Sequence, residues 1–206
     1  MKTISRKTAL LILLSVLLSG CMKNVLDENP PNILSGSGIL KNYNGFEAVL
    51  NGLYNLARYA RWQPEKIENA LNGVDNMCSN YRRSDIFWNW TTSNNPSDQD
   101  LLETWQWLYE MINTANTIIF YSERDIDWSG GNDTPENNKL RILAEARAIR
   151  AWAYRRLAYS WGDVPLTLQL EQSIKTDWER TPVSEVRSQI IKDLRWAQQY
   201  IPTEAS

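Results

Sequence analysis

Hydrophobic positions along this chain recur at helical steps. Phe46, Val49, Leu50, Leu53, Tyr54 and Ala57 follow one another at intervals of three and four, the stripe of an amphipathic helix. Trp105, Leu108, Tyr109, Ile112, Ala115, Asn116 and Ile119 make a second such face. The strongest pattern predicts a helix over residues 136–161. Ile142, Ala146, Ile149, Ala153 and Leu157 line one of its faces, and Ala144, Ala148, Ala151 and Ala158 leave its other faces shallow. Gly162 stands where a left-handed cap belongs, and Pro165 prevents a restart nearby. A final stripe of Val183, Val186, Ile190, Leu194, Ala197 and Ile201 runs to Pro202. It begins after Thr181 as N-cap, with Pro182 at the first helical position. A short helix is also expected over residues 64–71, with Pro64 tolerable in its first turn.

The segments between these stripes have a different character. Residues 74–99 show no helical period and are dense in Asn, Ser and Asp. Irregular stretches of that length are uncommon unless functional or disordered. Residues 125–138 are broken by Gly130-Gly131 and Pro135. No alternating segment of strand length competes with the helices; residues 164–170 come nearest and are weak. The expected fold class is therefore all-α. Small residues on several faces of a helix suit stacked helix pairs, here tetratricopeptide-like with long irregular loops, although no clean repeat of ~34 residues is present.

The N-terminus changes the picture. Lys2, Arg6 and Lys7 precede an aliphatic run over residues 9–18, and small residues then lead to Cys21. A basic start, a short apolar run and small residues at a cut site mark an export signal. The run is about half of the ~20 residues that a membrane-spanning helix needs. Leu18-Ser19-Gly20-Cys21 resembles a bacterial lipoprotein lipobox, which implies cleavage before Cys21, lipid on its thiol and acylation of the new amino group. Two or three acyl chains hold a protein firmly at a membrane, where one binds marginally. The expected organisation is a signal peptide over residues 1–20, a lipidated leader or tether over 21–45 stiffened by Pro30-Pro31, and a helical domain over 46–206.

Composition then excludes several functions. The formal charge of the 206 residues is −2, and the signal carries Lys2, Arg6 and Lys7, so the remainder is more acidic still. With no basic stripe, nucleic acid is not an expected partner. Histidine is absent, which removes Ser-His-Asp and Cys-His catalysis and His-ligated zinc. Lipid on Cys21 leaves Cys78 alone, without an internal disulfide. Ten Trp and nine Tyr stand against three Phe, a bias toward aromatics with a polar handle that suits half-wet surfaces.

The stretch from Ala144 to Tyr154 (AEARAIRAWAY), continuing through Leu157 to Tyr159-Ser160-Trp161-Gly162-Asp163-Val164-Pro165-Leu166, resembles the signature helix and turn of the SusD/RagB-like family. Leu26-Asp27 and Pro30, AVLNGLY at residues 48–54, Leu108-Tyr109 with Ala115-Asn116, Arg180-Thr181-Pro182 and Asp193-Leu194 resemble other family segments in the same order. The resemblance spans residues 21–202. It implies the N-terminal part of a longer outer-membrane lipoprotein that binds a glycan or other nutrient without hydrolysing it. Such a protein passes its ligand to a TonB-dependent, SusC-like transporter and needs no cofactor. The other class of function open to such a chain is a helical-repeat scaffold on the outer membrane that binds a protein partner.

Glycan capture needs flat aromatic faces against sugar C–H faces and hydrogen-bonding groups at the ring edge. Asn80-Tyr81-Arg82-Arg83 and Trp88-Asn89-Trp90 offer both. Trp88 and Trp90 are two apart, so extended backbone would place them on one face. Trp88, Trp90, Arg82 and Asn89 are thus the candidate carbohydrate-binding residues, set against a purely structural use in which these aromatics fill a groove between helix pairs. Trp105, Trp152 and Trp196 lie on or beside helix stripes and are expected to pack. Glu145 and Arg147, two apart, cannot pair on their own helix and should reach neighbouring helices or the Gly162 turn. Asn116 on an apolar face should tie a loop to the bundle. Arg155-Arg156 reads as a solvated edge. Asp75, Asp85, Asp98 and Asp100 flank the aromatic segment; no spacing among them points to the acid pair of a glycosidase, and the family resemblance points away from one. Asp125, Asp127, Asn132 and Asp133 do not match a calcium loop with its closing Glu, and are expected to be loop acids.

Overall fold

The computed structural model describes residues 36–62, 97, 99–170, 175 and 177–202. All lie within one compact unit, Ser35–Ser206. Among the described residues there are five helices: α1 (Gly36–Ile39), α2 (Tyr43–Trp62), α3 (Gln99–Tyr121), α4 (Pro135–Trp161) and α5 (Val183–Tyr200). The all-α expectation holds. The only extended pairing in these residues is two isolated bridges, Asn42 with Asp127 and Val164 with Thr181. The helix expected at 64–71 and the irregular segment at 74–96 lie outside the described residues.

α4 is the centre of the bundle, and α2, α3 and α5 all pack against it. Its alanines explain how. Ala144, Ala146, Ala151, Ala153 and Ala158 are all buried, on several sides of the helix, so neighbouring backbones can approach closely around most of its circumference. Thr134 caps its N-terminus by accepting from the Asn137 amide at 3.3 Å, with Pro135 following. At its other end Gly162 has φ 71°, the left-handed region, and its N–H donates to the Ala158 carbonyl at 3.2 Å. Phe46, Leu50 and Leu53 of α2 and Leu108, Met111, Ile112, Ala115 and Ile118 of α3 complete the core. Burial of the larger of these side chains contributes about 1.5–3 kcal/mol each before entropy is counted.

Loop 122–134 is fastened to the entry of α2. The Tyr43 amide donates to the Asp127 carbonyl at 2.8 Å, and Trp128 is buried with its ring 4.5 Å from Phe46. The buried Asn138 donates from Nδ2 to the carbonyls of Trp128 and Asp133, both at 3.1 Å. Gly131 lies against that amide, and a Cβ there would meet Asn138 Cγ at 2.7 Å.

Three expectations need correction. Thr181 is not the cap of α5. It pairs with Val164, while Asp163 Oδ1 accepts from the Val183 amide at 2.8 Å. The N-cap residue is Pro182, with no side-chain cap of its own. Leu194 and Ile201, expected in the core, are 46% and 38% exposed. The buried face of α5 is instead Val186, Ile190, Asp193 and Ala197, because the helix is rotated to bring Asp193 to a buried arginine. Tyr54 is 45% exposed and lies at the edge of the α2 stripe, where its hydroxyl donates to Glu145 Oε2 at 2.8 Å.

Candidate ligand-binding surface

Cys21, Arg82, Trp88, Asn89 and Trp90 lie outside the described residues. The described helices on either side of residues 63–98, α2 and α3, are joined through tryptophans. Trp107 Nε1 donates to the Leu56 carbonyl at 3.0 Å, and its ring meets Trp152 edge-on at 5.8 Å. Trp105 packs on Tyr109 and, edge-on, on Trp161. Trp105, Trp152 and Trp196 are all packing residues, as expected.

A buried polar network crosses the middle of the bundle. Arg150 of α4 donates from Nε and Nη2 to the two carboxylate oxygens of Asp193, both at 2.8 Å, and from Nη1 to Asn116 Oδ1 at 2.7 Å. Asn116 donates in turn to the carbonyls of Thr167 and Gln169 at 3.0 and 3.3 Å, so it does tie a loop to the bundle. Tyr154 closes the same loop: its hydroxyl donates to the Thr167 carbonyl at 2.8 Å and accepts from the Thr167 amide at 2.7 Å. Tyr109 donates to the Pro165 carbonyl at 2.7 Å. Burial, more than any neighbouring charge, pushes the Tyr109 and Tyr154 hydroxyls above their ordinary pKa. The segment after Gly162 is thus pinned from three side chains on two helices.

Arg150 and Asp193 escaped the sequence reading, yet a signal existed. Arg150 lies on the same helical face as Ala146, Ile149, Ala153 and Leu157, and Asp193 on that of Val186, Ile190 and Ala197. A charge inside an apolar stripe must be paired. Glu145 and Arg147 reach neighbouring helices as expected. Glu145 binds Tyr54 and Arg141, and Arg147 contacts Asp193 at 3.4 Å while lying 4.5 Å over the Trp196 ring. Arg155 is exposed, but Arg156 is half-buried with its guanidinium 5.5 Å from the Trp152 ring, so only the first is a solvated edge.

A groove of about 730 Å³ lies between the start of α2, loop 122–134, the start of α4 and the end of α5. Its lining is polar and planar: Tyr43, Asn132, Asn137, Arg141, Gln198 and Tyr200 among others. Arg141 is held between Glu47, Glu145 and the Tyr43 hydroxyl. Amides, carboxylates and phenol edges of this kind can exchange hydrogen bonds with sugar hydroxyls. Asp127 and Asp133 face Ser129 and the Thr134–Asn137 turn, and those hydrogen bonds hold both carboxyls below the usual range. Among the described residues no group of three or more acids, cysteines or histidines is placed to hold a metal ion. Nor is any helix among them long and apolar enough to cross a membrane.

Residues 25–206 match the SusD-like family described as starch-binding and associating with the outer membrane. The chain is 26% identical over 200 residues to a SusD-like protein of Formosa agariphila, covering 93% of this chain and 37% of that protein. It is 26% identical over 162 residues to a SusD-like protein of Bacteroides ovatus, covering 78% and 28%. Among solved structures, a SusD superfamily protein of Bacteroides thetaiotaomicron superposes with a TM-score of 0.62 at 23% identity, over 79% of this chain and 36% of that one. NanU of B. fragilis gives a TM-score of 0.62 at 22% identity, over 85% and 34%. The chain therefore spans well under half the length of these relatives.

Proposed function

This chain belongs to the SusD-like family, and on that premise we propose that it acts in nutrient capture at the outer membrane. In this reading it is the N-terminal part of a lipoprotein that binds a glycan and passes it to a TonB-dependent, SusC-like transporter, without hydrolysing it. The observation that carries the reading is the family match over residues 25–206, which takes in all five described helices. Residues 1–20 serve as the export signal and Cys21 carries the lipid of a tether; the tether expected over 21–45 gives way to the helical domain before 45, since α1, the buried Leu40 and the start of α2 at Tyr43 belong to the folded unit.

Ligand contact is assigned to Trp88 and Trp90 as stacking faces, with Arg82 and Asn89 reading hydroxyls at the edge. The bracing of α2 against α3 through Trp107 supports such a use, since a stacking platform needs a fixed base. Affinity electrophoresis of the detergent-solubilised full chain through gels containing a panel of polysaccharides tests the proposal. Retardation by at least one glycan is expected, and a Trp88→Ala/Trp90→Ala variant should migrate freely. Uniform migration of a folded chain through every gel would defeat the proposal, leaving a protein-binding scaffold as the alternative.

A further inference from the structure

A second cleft, of about 320 Å³, lies along the outer side of α5 where it meets α4. Its wall consists of Arg147, Ser188, Ile191, Lys192, Arg195 and Trp196, with Gln199 at one end. Three of these are cations and none is an acid, on a chain whose overall charge is negative.

Electrostatics beneath the cleft run the same way. Asp193 is fully buried and is, among the described residues, the one carboxylate that meets the guanidiniums of Arg150 and Arg147. Arg150 takes both carboxylate oxygens at 2.8 Å, which leaves Arg147 a long contact at 3.4 Å to an oxygen already shared with Gln189. The Nε–H of Arg147 is buried without any hydrogen-bond partner. Burial, with Arg150 adding to it, lowers the pKa of this guanidinium against the pull of Asp193. One positive charge is thus left over in a half-buried cluster, and it faces a cleft whose rim carries Lys192 and Arg195. Neither rim cation has an anionic partner among the described residues.

A desolvated guanidinium short of acceptors is stabilised by an anion. The apolar surface beside the cations narrows the choice. Ile191 is 50% exposed, and the Trp196 indole is half-buried, with Arg147 over its ring at 4.5 Å and the Tyr200 ring 4.7 Å away. The volume lies at the low end of the range of about 300–1,000 Å³ typical of ligand sites, enough for a small ring and not for an extended chain.

We propose that the Arg147–Lys192–Arg195–Trp196 cleft is a subsite for an acidic sugar, whose carboxylate or sulfate ester meets the cations while its apolar side lies against the exposed Ile191 and the edge of the Trp196 indole. The subsite rests on the proposed nutrient-capture function and names a substrate class for it: anionic glycans, held at a place separate from the Trp88/Trp90 segment in sequence.

Calorimetric titration of the full chain tests this with four probes of matched size: an oligogalacturonate, a sulfated oligosaccharide, a neutral oligosaccharide and an acidic peptide. Either or both anionic sugars should bind at least tenfold tighter than the neutral one, and their affinity should fall as salt is raised. Lys192→Gln/Arg195→Gln, two exposed changes that leave the core untouched, should weaken that binding at least tenfold. Unequal response to the two anionic sugars separates carboxylate from sulfate. Equal affinity for neutral and anionic sugars would overturn the subsite and leave nutrient capture standing. So would loss of binding in Trp88→Ala/Trp90→Ala with none in Lys192→Gln/Arg195→Gln. Binding of the acidic peptide alone, abolished by the rim changes, would reassign the cleft to a protein carboxylate and overturn the proposal.

Discussion

Removal of the Asp193 carboxylate should be among the most damaging single changes in the helical domain. Asp193 is 0% exposed and Arg150 3% exposed, so solvent screens neither charge. Asp193→Ala deletes both 2.8 Å bonds from Arg150 and the contacts from Gln189 and Arg147. Two guanidiniums would then share a cavity with no counter-charge. Breaking a buried pair from one side costs about 3–5 kcal/mol. Against a total stability of about 5–15 kcal/mol, that is a large share. With a urea m-value of about 2 kcal/mol/M, the midpoint should fall by about 1.5–2.5 M, read by far-ultraviolet circular dichroism. The double change Arg150→Met/Asp193→Ala, measured beside Arg150→Met alone, tests the cause. It removes both charges of the pair and leaves Asn116 Oδ1 without its donor, a cost of about 1–3 kcal/mol, with Arg147 short of its carboxylate just as in the single change. The double variant should therefore be at least as stable as Asp193→Ala alone, and the cycle should return a coupling of about 2 kcal/mol or more. A loss below about 1 kcal/mol for Asp193→Ala, or additive single changes, would refute the view that this pair governs the α4–α5 contact.

Three further outcomes are expected. Tyr109 and Tyr154 have raised pKa values in the folded chain, so their contribution to stability is intact below the unfolded value of about 10 and is lost as pH rises beyond it. Spectrophotometric titration should show them ionising only together with loss of helix, and free titration in a folded chain would contradict their burial. Asp163→Ala removes the acceptor for the Val183 amide and should cost about 1 kcal/mol in urea unfolding, with Asp163→Asn recovering most of it; equal losses in both variants would show that the cap is not the cause. Cys21→Ser should release the chain from the membrane fraction on export, and continued retention would remove the lipid tether from the proposal.

Much of this fold was legible in the sequence, and the failures share a cause. The stripes of α2, α3 and α4, the Gly162 cap and the loop-tying role of Asn116 are local signals, or signals whose remedy is forced. An amide in an apolar face must find partners whatever the topology. Where the partner lay far along the chain, reading by local pattern chose wrongly. Thr181-Pro182 has the look of a helix start, but the cap arrives from Asp163, twenty residues upstream. Leu194 fits the α5 stripe by hydrophobicity, yet Asp193 is buried beside it because Arg150, 43 residues earlier, holds it there. Glycan contact at Arg82, Trp88, Asn89 and Trp90 rests on residue chemistry alone, since an irregular segment has no period from which to place a side chain.

The position of α4 at the centre of the bundle has a consequence for the order in which this chain can fold. A polypeptide threaded through a membrane from its N-terminus would deliver α2 and α3 first. Their apolar faces would lack the surface of Ile142, Ala146, Ala153 and Leu157 until residues 135–161 had followed. On the far side, the early residues would stay open while the last third of the chain was still on the near side. Collapse would then wait for the arrival of one alanine-rich helix, which would make α4 a timer as well as a scaffold.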